Sequence, residues 1–156
     1  MYFKENVLTM DITLRPALDT DIEFAFEAKR QAMGTHIEFK WGWDEVFQRS
    51  LHQQRYSEKP WFIIMLDGEP IGTLSIHKLP EHTRFGEFYL LSKYQNKGIG
   101  SQVLSAFLEE CDKYSKTVIL EYLKWNPVGS LYKRYGFRVT SENDIHYFME
   151  RSPQQK

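Results

Sequence analysis

Several features that are common in other classes of protein are missing from this chain. It has one cysteine, Cys111, so it can form no internal disulfide and no metal site from cysteine alone. The 20 basic residues are balanced by 21 acidic ones and interspersed with them, which argues against a nucleic-acid binder. No run approaches the roughly 18 apolar residues that cross a bilayer, and residues 1–10 lack the apolar segment of a secretory signal. We therefore expect a cytoplasmic protein without a membrane or nucleic-acid partner.

Large aromatic side chains, in contrast, are abundant. The chain has eleven Phe, nine Tyr and four Trp, and rings of this size indicate a folded core. A length of 156 residues suits one domain, which we expect over residues 11–151, after a short lead-in at 1–10 and before a tail at 152–156. The five histidines are scattered without ligand spacing, so no metal is expected.

Hydrophobic periodicity predicts the element order β-α-α-β-β-β-α-β-α-β-β. The first helix is expected to close at Gly34, and the second to begin near Trp43 or Asp44. The pair Asp67-Gly68 predicts a tight hairpin between two buried strands. This order favours a mixed sheet flanked by helices.

The most informative segment lies between a predicted strand and a predicted helix: Tyr94-Gln95-Asn96-Lys97-Gly98-Ile99-Gly100-Ser101. Glycines at 98 and 100 let backbone N–H groups approach a ligand closely, and the helix that starts here adds its positive end. Lys97 adds a point charge and Ser101 a hydroxyl. The pattern predicts an anion site that suits a diphosphate. The alternative is a strand–helix turn that uses glycine only for its geometry.

Two other phosphate-binding loops are excluded by the spacing. A Walker loop requires a lysine directly after its second glycine, whereas Lys97 precedes both glycines. A dinucleotide-binding loop requires Gly or Ala three positions after Gly100, and Val103 stands there.

A second segment follows the next strand: Asn126-Pro127-Val128-Gly129-Ser130-Leu131-Tyr132-Lys133-Arg134-Tyr135-Gly136-Phe137. Together the two segments resemble the GNAT superfamily of N-acetyltransferases. Gln95-x-x-Gly98-x-Gly100 is similar to that family's pyrophosphate turn, and the second segment is similar to its later signature at Asn126, Leu131-Tyr132 and Gly136-Phe137. The resemblance covers about residues 11–151. It implies an α/β (α+β) fold with a mixed, mostly antiparallel sheet, a splayed central strand pair and about four flanking helices.

The resemblance also implies acetyl-coenzyme A as co-substrate and assigns its contacts. Backbone groups on the strand before the turn are expected to pair with the pantetheine arm. The N–H groups of residues 96–101 are expected to surround the pyrophosphate. The complete set of expected cofactor-binding residues is Tyr89, Leu90, Gln95, Asn96, Lys97, Gly98, Ile99, Gly100, Ser101 and Asn126.

Catalytic residues are expected on the same grounds. Tyr132 would protonate the departing thiolate, the alternative being a ring in the core. A lysine-like amine has a pKa of about 10.4, so a carboxylate or an ordered water must take its proton before it attacks. Glu87 is the first candidate for this base, Glu121 the second, and His146 and His77 are weaker. A solvated carboxylate on the sheet is the alternative for either glutamate.

Residues 37–45, between the first two predicted helices, occupy the region that varies with the acceptor in GNAT enzymes. Trp41, Trp43 and Glu38 are the expected acceptor-binding residues, because ring faces and carboxylates suit a cationic or aromatic amine. The alternative is that the tryptophans pack the helices onto the sheet. The Trp-Gly-Trp-Asp-Glu stretch resembles a bacterial GNAT subgroup whose acceptor is unassigned.

The expected function is acetyl transfer to a primary amine of a small molecule, directly within a ternary complex. The near-neutral charge offers no steering field for histone-like tails or nucleic acid. One alternative is a protein N-terminal or lysine acetyltransferase, which needs an open groove. Another is a non-catalytic acetyl-CoA sensor, which has no need of Tyr132. Members of the family are often dimers, so a homodimer is a further expectation.

Overall fold

A seven-stranded sheet dominates the computed structural model, which describes residues 11–155. The strands are β1 (Ile12–Pro16), β2 (Trp61–Leu66), β3 (Glu69–Lys78), β4 (Thr83–Leu90), β5 (Val118–Leu123), β6 (Arg138–Glu142) and β7 (His146–Arg151). They lie in the order β1-β2-β3-β4-β5-β7-β6, and every neighbouring pair is antiparallel except β4 and β5. The predicted mixed, mostly antiparallel sheet is confirmed.

Four α-helices connect the strands within residues 11–155: α1 (Ile22–Trp41), α2 (Glu45–Glu58), α3 (Ile99–Lys113) and α4 (Gly129–Arg134). Short 3-10 turns precede α1 at Asp19–Asp21 and follow β4 at Ser92–Tyr94. The order of strands and helices matches the predicted one. No helix in this part of the chain is long and apolar enough to cross a membrane. The predicted lead-in at 1–10 lies outside the described residues.

The sheet separates two layers of packed side chains. Alternate residues of a strand point to opposite faces, and β2 shows the consequence: Phe62 and Ile64 belong to the core cluster that contains the apolar residues of α3, whereas Ile63 is equally buried but lies outside it. On the first face, Phe107 of α3 packs against Phe85 of β4 with ring centroids 4.9 Å apart. On the second face, α1 packs on β3 and β4. The two faces are called the α3 face and the α1 face below.

The parallel strands β4 and β5 separate soon after they meet. They pair at only two positions, Thr83–Val118 and Arg84–Ile119. Both strands continue past these pairs, to Leu90 and Leu123, without a ladder between them. Residues 85–90 and 120–123 therefore border a gap, which we call the β4–β5 opening. The predicted splayed central strand pair is confirmed.

The prediction that the first helix closes at Gly34 is wrong. α1 continues to Trp41 and ends at Gly42, whose positive φ of +80° glycine adopts readily because it has no Cβ. A glycine inside a helix costs about 1 kcal/mol, which tertiary packing outweighs here, because α1 buries Met33 and Ile37 on both sides of Gly34. Most of residues 37–45 is consequently helix rather than a connecting loop.

The second helix begins where the sequence predicts. Asp44 precedes α2, and its carboxylate accepts a hydrogen bond from the Phe47 backbone N–H at 3.0 Å. This side-chain cap satisfies one of the unpaired donors of the first turn.

Candidate active site

Residues 94–101, called the glycine turn below, link the end of β4 to the start of α3. The side chain of Gln95 donates from Nε2 to the Leu90 carbonyl at 2.8 Å, which ties the turn to the last residue of the strand. Asn96 and Gly98 adopt positive φ angles of 60° and 81°. A Cβ at Gly98 would meet no atom within 4 Å, so space does not demand this glycine. The left-handed backbone does.

The first backbone N–H groups of α3 are free of helical partners. Gln102 donates to the Gly98 carbonyl at 3.1 Å, and this is the first such bond of the helix. The N–H groups of Ile99, Gly100 and Ser101 therefore belong to the unpaired first turn, and no side chain caps this end of the helix. Lys97 is exposed beside them. Such N–H groups at the positive end of a helix suit an anion.

Glu87 lies on a β-bulge in β4, next to the β4–β5 opening. Gly86 pairs with Ser75 and Tyr89 with Thr73, so two residues of β4 face one residue of β3. Glu87 has a φ of +46°, which is uncommon outside glycine. The Thr73 hydroxyl donates to the Glu87 carbonyl at 2.8 Å and holds this backbone in place. The bulge changes the direction in which the Glu87 side chain points, relative to a regular strand.

The Glu87 carboxylate is buried, with 8% of the residue exposed. The Tyr89 hydroxyl donates to its Oε1 at 3.2 Å, whereas Oε2 is buried without a hydrogen-bond partner. Burial, and then the Glu87 charge, raise the pKa of Tyr89 well above its ordinary value, so its hydroxyl remains a donor. A buried carboxylate oxygen without a partner is costly, and such an atom calls for an explanation, a catalytic role being one.

Lys29 of α1 is buried on the same side of the sheet, with 4% exposed. Burial lowers its pKa to about 8, and the Glu87 charge opposes that shift. One turn further along α1, Met33 accepts a hydrogen bond at Sδ from Asn126 Nδ2 at 3.4 Å. Since Asn126 follows β5, this face of α1 lies across the β4–β5 opening. Lys29 is not among the site residues predicted from the sequence, although a lysine on the apolar stripe between Ala25 and Met33 is the kind of signal that marks a buried charge.

Tyr132 of α4 lies in an aromatic cluster on the α3 face, 5% exposed. Its ring centroid lies 5.6 Å from that of Phe137, 5.9 Å from Tyr122 and 6.5 Å from Phe85. Burial raises the pKa of Tyr132, so its hydroxyl keeps its proton at neutral pH. Phe85 of β4 and Tyr122 of β5 both border the β4–β5 opening, so these ring contacts place Tyr132 beside it. The ring packs in the core as the alternative expectation describes, and the acid role of its hydroxyl stays a prediction.

Asn126 starts the segment that leads into α4. Its Oδ1 accepts a hydrogen bond from the Val128 backbone N–H at 3.1 Å, and its Nδ2 donates to Met33. The side chain thus fixes the chain direction after β5 and touches α1.

The other base candidates lie in different surroundings. Glu121 is exposed and pairs with Arg84 at 3.2 Å, with His146 Nε2 at 3.9 Å from its second oxygen. His77 is half-buried on β3. Glu121 is thus a solvated carboxylate on the sheet, whereas Glu87 is buried beside the opening, and the geometry favours Glu87.

The three residues expected to bind the acceptor have different surroundings. Trp41 is 52% exposed and packs edge-on against Trp125 at 4.7 Å. Trp43 lies between α1 and α2, 6.0 Å from the Phe26 ring, and donates from Nε1 to Glu45 at 2.9 Å. Glu38 is exposed on the last turns of α1. Trp43 packs the helices, as the alternative holds, while Trp41 presents part of its ring to solvent.

Comparison with known proteins agrees with this architecture. The model of the acetyltransferase (GNAT) family matches residues 23–137, most of the chain. The chain belongs to the GNAT acetyltransferase family. The predicted class of protein, an acetyltransferase with acetyl-coenzyme A as its co-substrate, is confirmed at that level.

Individual relatives are distant. The L-amino acid N-acetyltransferase AaaT of Escherichia coli (strain K12) is 24% identical over 97 residues, which are 56% of this chain and 60% of that protein. The PaiA N-acetyltransferase of Thermoplasma acidophilum in complex with coenzyme A has a TM-score of 0.72 at 21% identity, over 92% of this chain and 99% of that one. The ribosomal-protein-S18-alanine N-acetyltransferase of Escherichia coli has a TM-score of 0.68 at 16% identity, over 93% and 96%. These structures share the fold.

Proposed function

We propose that this chain transfers the acetyl group of acetyl-coenzyme A to a primary amine of a small molecule, by direct attack within a ternary complex. The observation that carries the proposal is the buried Glu87 carboxylate, held on a bulge beside the β4–β5 opening with one oxygen unpartnered. A related protein is named an L-amino acid N-acetyltransferase, which supports a small acceptor.

The residues around the opening fit the proposed co-substrate. The unpaired N–H groups of Ile99, Gly100 and Ser101 provide donors for a diphosphate, and the positive charge of Lys97 lies beside them. The edge of β4 that lacks a β5 partner presents the backbone of Tyr89 and Leu90 to an extended amide-bearing arm, with the Leu90 carbonyl already accepting a hydrogen bond from Gln95 Nε2. Acetyl-coenzyme A supplies the thioester whose carbonyl carbon an amine attacks.

In this proposal Glu87 removes the proton that the amine must lose. Its Oε2 has no protein partner and can accept that proton, while Tyr89 keeps Oε1 occupied and the carboxylate oriented. The bulge backbone, fixed by Thr73, positions the group. Glu87 thus serves as a general base at the end of the opening.

Tyr132 is proposed to protonate the departing thiolate. A tyrosine hydroxyl carries a proton at neutral pH, and burial raises the pKa of Tyr132 further. Tyr132→Phe should therefore lower kcat on the order of 100-fold while leaving the affinity for coenzyme A unchanged. Steady-state kinetics and calorimetry measure the two effects, and an unchanged kcat would remove Tyr132 from the mechanism.

A thiol-release assay with a panel of amines tests the proposal. Amino acids, polyamines, aminoglycosides and short peptides are each mixed with the protein and acetyl-coenzyme A, and free thiol is followed over time. We expect release with at least one small amine and confirmation of the N-acetylated product by mass spectrometry. Turnover with peptides alone would instead support a protein acetyltransferase, and tight binding without turnover would support a sensor.

A further inference from the structure

Two buried, oppositely charged groups on the α1 face lack a direct ionic partner. Lys29 comes from α1 and Glu87 from the β4 bulge, and the residues are 4% and 8% exposed. Among residues 11–155, no ion pair within 4.0 Å joins Lys29 to a carboxylate, and Glu87 Oε2 has no hydrogen-bond partner. Charges so buried are normally paired. The arrangement therefore leaves the Lys29 ammonium able to bind an anion and the Glu87 carboxylate able to bind a cation.

Both groups border the same space. α1 packs on β4, and Met33, one turn from Lys29, reaches Asn126 across the β4–β5 opening. The Lys29 ammonium and the Glu87 carboxylate act on each other electrostatically, in agreement with this placement. The two charges thus lie where an acceptor amine must meet the thioester in the proposed reaction.

We propose that Lys29 and Glu87 form a two-point receptor for an acceptor with a carboxylate beside its amine, as in an α-amino acid. Lys29 holds the carboxylate and Glu87 faces the amine. The assignment rests on the proposed acetyltransferase function and specifies its acceptor. A zwitterion supplies the missing partner of each buried charge, whereas a simple amine leaves Lys29 unpaired. Lys29 is then a specificity-determining residue, and the amine proton passes to Glu87 Oε2.

The test compares acceptors that differ only in the carboxylate. Phenylalanine is set against 2-phenylethylamine and phenylalaninamide, and leucine against 3-methylbutylamine and leucinamide, with acetyl-coenzyme A at saturation. For each pair, the ratio of kcat/KM values is measured in the wild type and in Lys29→Met. The two acceptors of a pair differ in amine basicity, but this difference is the same whether the wild type or the variant is assayed. A change in the ratio between the two proteins therefore reports the Lys29 contact alone.

We expect the wild type to prefer the carboxylate-bearing member of each pair. Lys29→Met should lose about 10- to 100-fold of that preference, the range expected for one hydrogen bond between charged groups, with little change for the plain amine. Lys29→Arg, which keeps the charge, should retain part of the preference. Lys40→Met, an exposed lysine of the same helix, is the matched control and should behave as the wild type. Direct binding of phenylalanine to the coenzyme A complex, measured by calorimetry, should weaken in the same order.

The outcomes separate this inference from the function on which it rests. If the wild type acetylates plain amines as well as amino acids, the function holds and the two-point receptor is wrong. The receptor is equally wrong if Lys29→Met lowers kcat/KM for both members of a pair by the same factor, because Lys29 then only supports the fold. If no amine is acetylated by the wild type, the proposed function itself fails.

Discussion

The glycine turn and the acceptor side of the β4–β5 opening are built in different ways. The turn is one contiguous stretch, residues 94–101, whose function depends on backbone conformation and on the start of α3. The acceptor side gathers Lys29 from α1, Glu87 from β4 and Asn126 from the segment after β5. A site built from one contiguous stretch of backbone can be recognised as a sequence pattern. A site assembled from distant elements appears in the sequence only as single polar residues, whose role can be assigned only once the fold is known.

The largest effect that separates the two regions is expected at Glu87. Glu87→Gln keeps the shape of the side chain and removes the base, so kcat should fall by about 10²- to 10⁴-fold while coenzyme A binding is unchanged. Steady-state kinetics and calorimetry with coenzyme A provide the two readouts. Glu121→Gln, on the exposed glutamate of β5, is the matched control and should stay within about twofold of the wild type. A larger loss at Glu121 than at Glu87 would reverse the assignment of the base.

A substitution in the glycine turn should instead weaken the binding of coenzyme A. Gly98→Glu places a negative charge at the first-turn N–H groups of α3 and strains a backbone with a φ of +81°. Coenzyme A affinity should fall on the order of 100-fold or more, by repulsion of phosphate. Gly98→Ala separates the two causes, since it carries only the strain, about 1–2 kcal/mol. Calorimetric titration measures both variants, and wild-type affinity in Gly98→Glu would contradict the anion site.

The charge on Lys29 should make stability depend on pH. The pKa of Lys29 is lowered from 10.5 to about 8 in the folded protein, mainly by burial. Between these values the unfolded chain binds more protons, so this group makes the unfolding free energy rise with pH. Below pH 8 the full cost of the buried charge, about 3 kcal/mol, is present. Other titratable groups also interact electrostatically with Lys29: Glu87 on β4, His52 and Arg55 on α2, and Lys59 directly after α2.

Lys29→Met removes that dependence. Relative to the wild type, the variant should gain most in unfolding free energy below pH 8, and the gain should shrink toward pH 10.5. Urea denaturation of both proteins at several values of pH gives the difference, in which the other titrating groups cancel. A difference that stays constant with pH would show that Lys29 is not buried as a charge.

The smallest effect is expected at Gly34, inside α1. A Cβ there would lie 3.6 Å from Arg30 Cγ and 3.9 Å from Trp43, which is ordinary contact. Gly34→Ala should therefore stabilise the protein by about 0.5–1 kcal/mol, the difference in helix propensity, without changing kcat. Thermal denaturation measures the gain, and a loss of stability would mean that the space at Gly34 is needed.

The sequence predicts the parts of this fold that depend on local pattern. The element order, the splayed strand pair and the cap at Asp44 follow from periodicity, from the family resemblance and from side-chain chemistry. The end of α1 does not, because Gly34 signals a stop that the burial of Met33 and Ile37 overrides.

The candidate site also has one part that the sequence predicts and one part that depends on tertiary packing. The turn is visible in the sequence, whereas the β-bulge that buries Glu87 arises from the pairing of β4 with β3, and the approach of Lys29 arises from the packing of α1. The roles of the site residues, the cytoplasmic location and the homodimer stay predictions.

The central claim is that the first-turn N–H groups of α3 hold the diphosphate of coenzyme A. Titration of ¹⁵N-labelled protein with coenzyme A, followed by backbone NMR, tests it most directly. The amide resonances of residues 96–101 should shift most and saturate together, while pantetheine, which lacks the diphosphate, should leave them in place. Saturable binding of coenzyme A with those resonances unmoved would contradict the account.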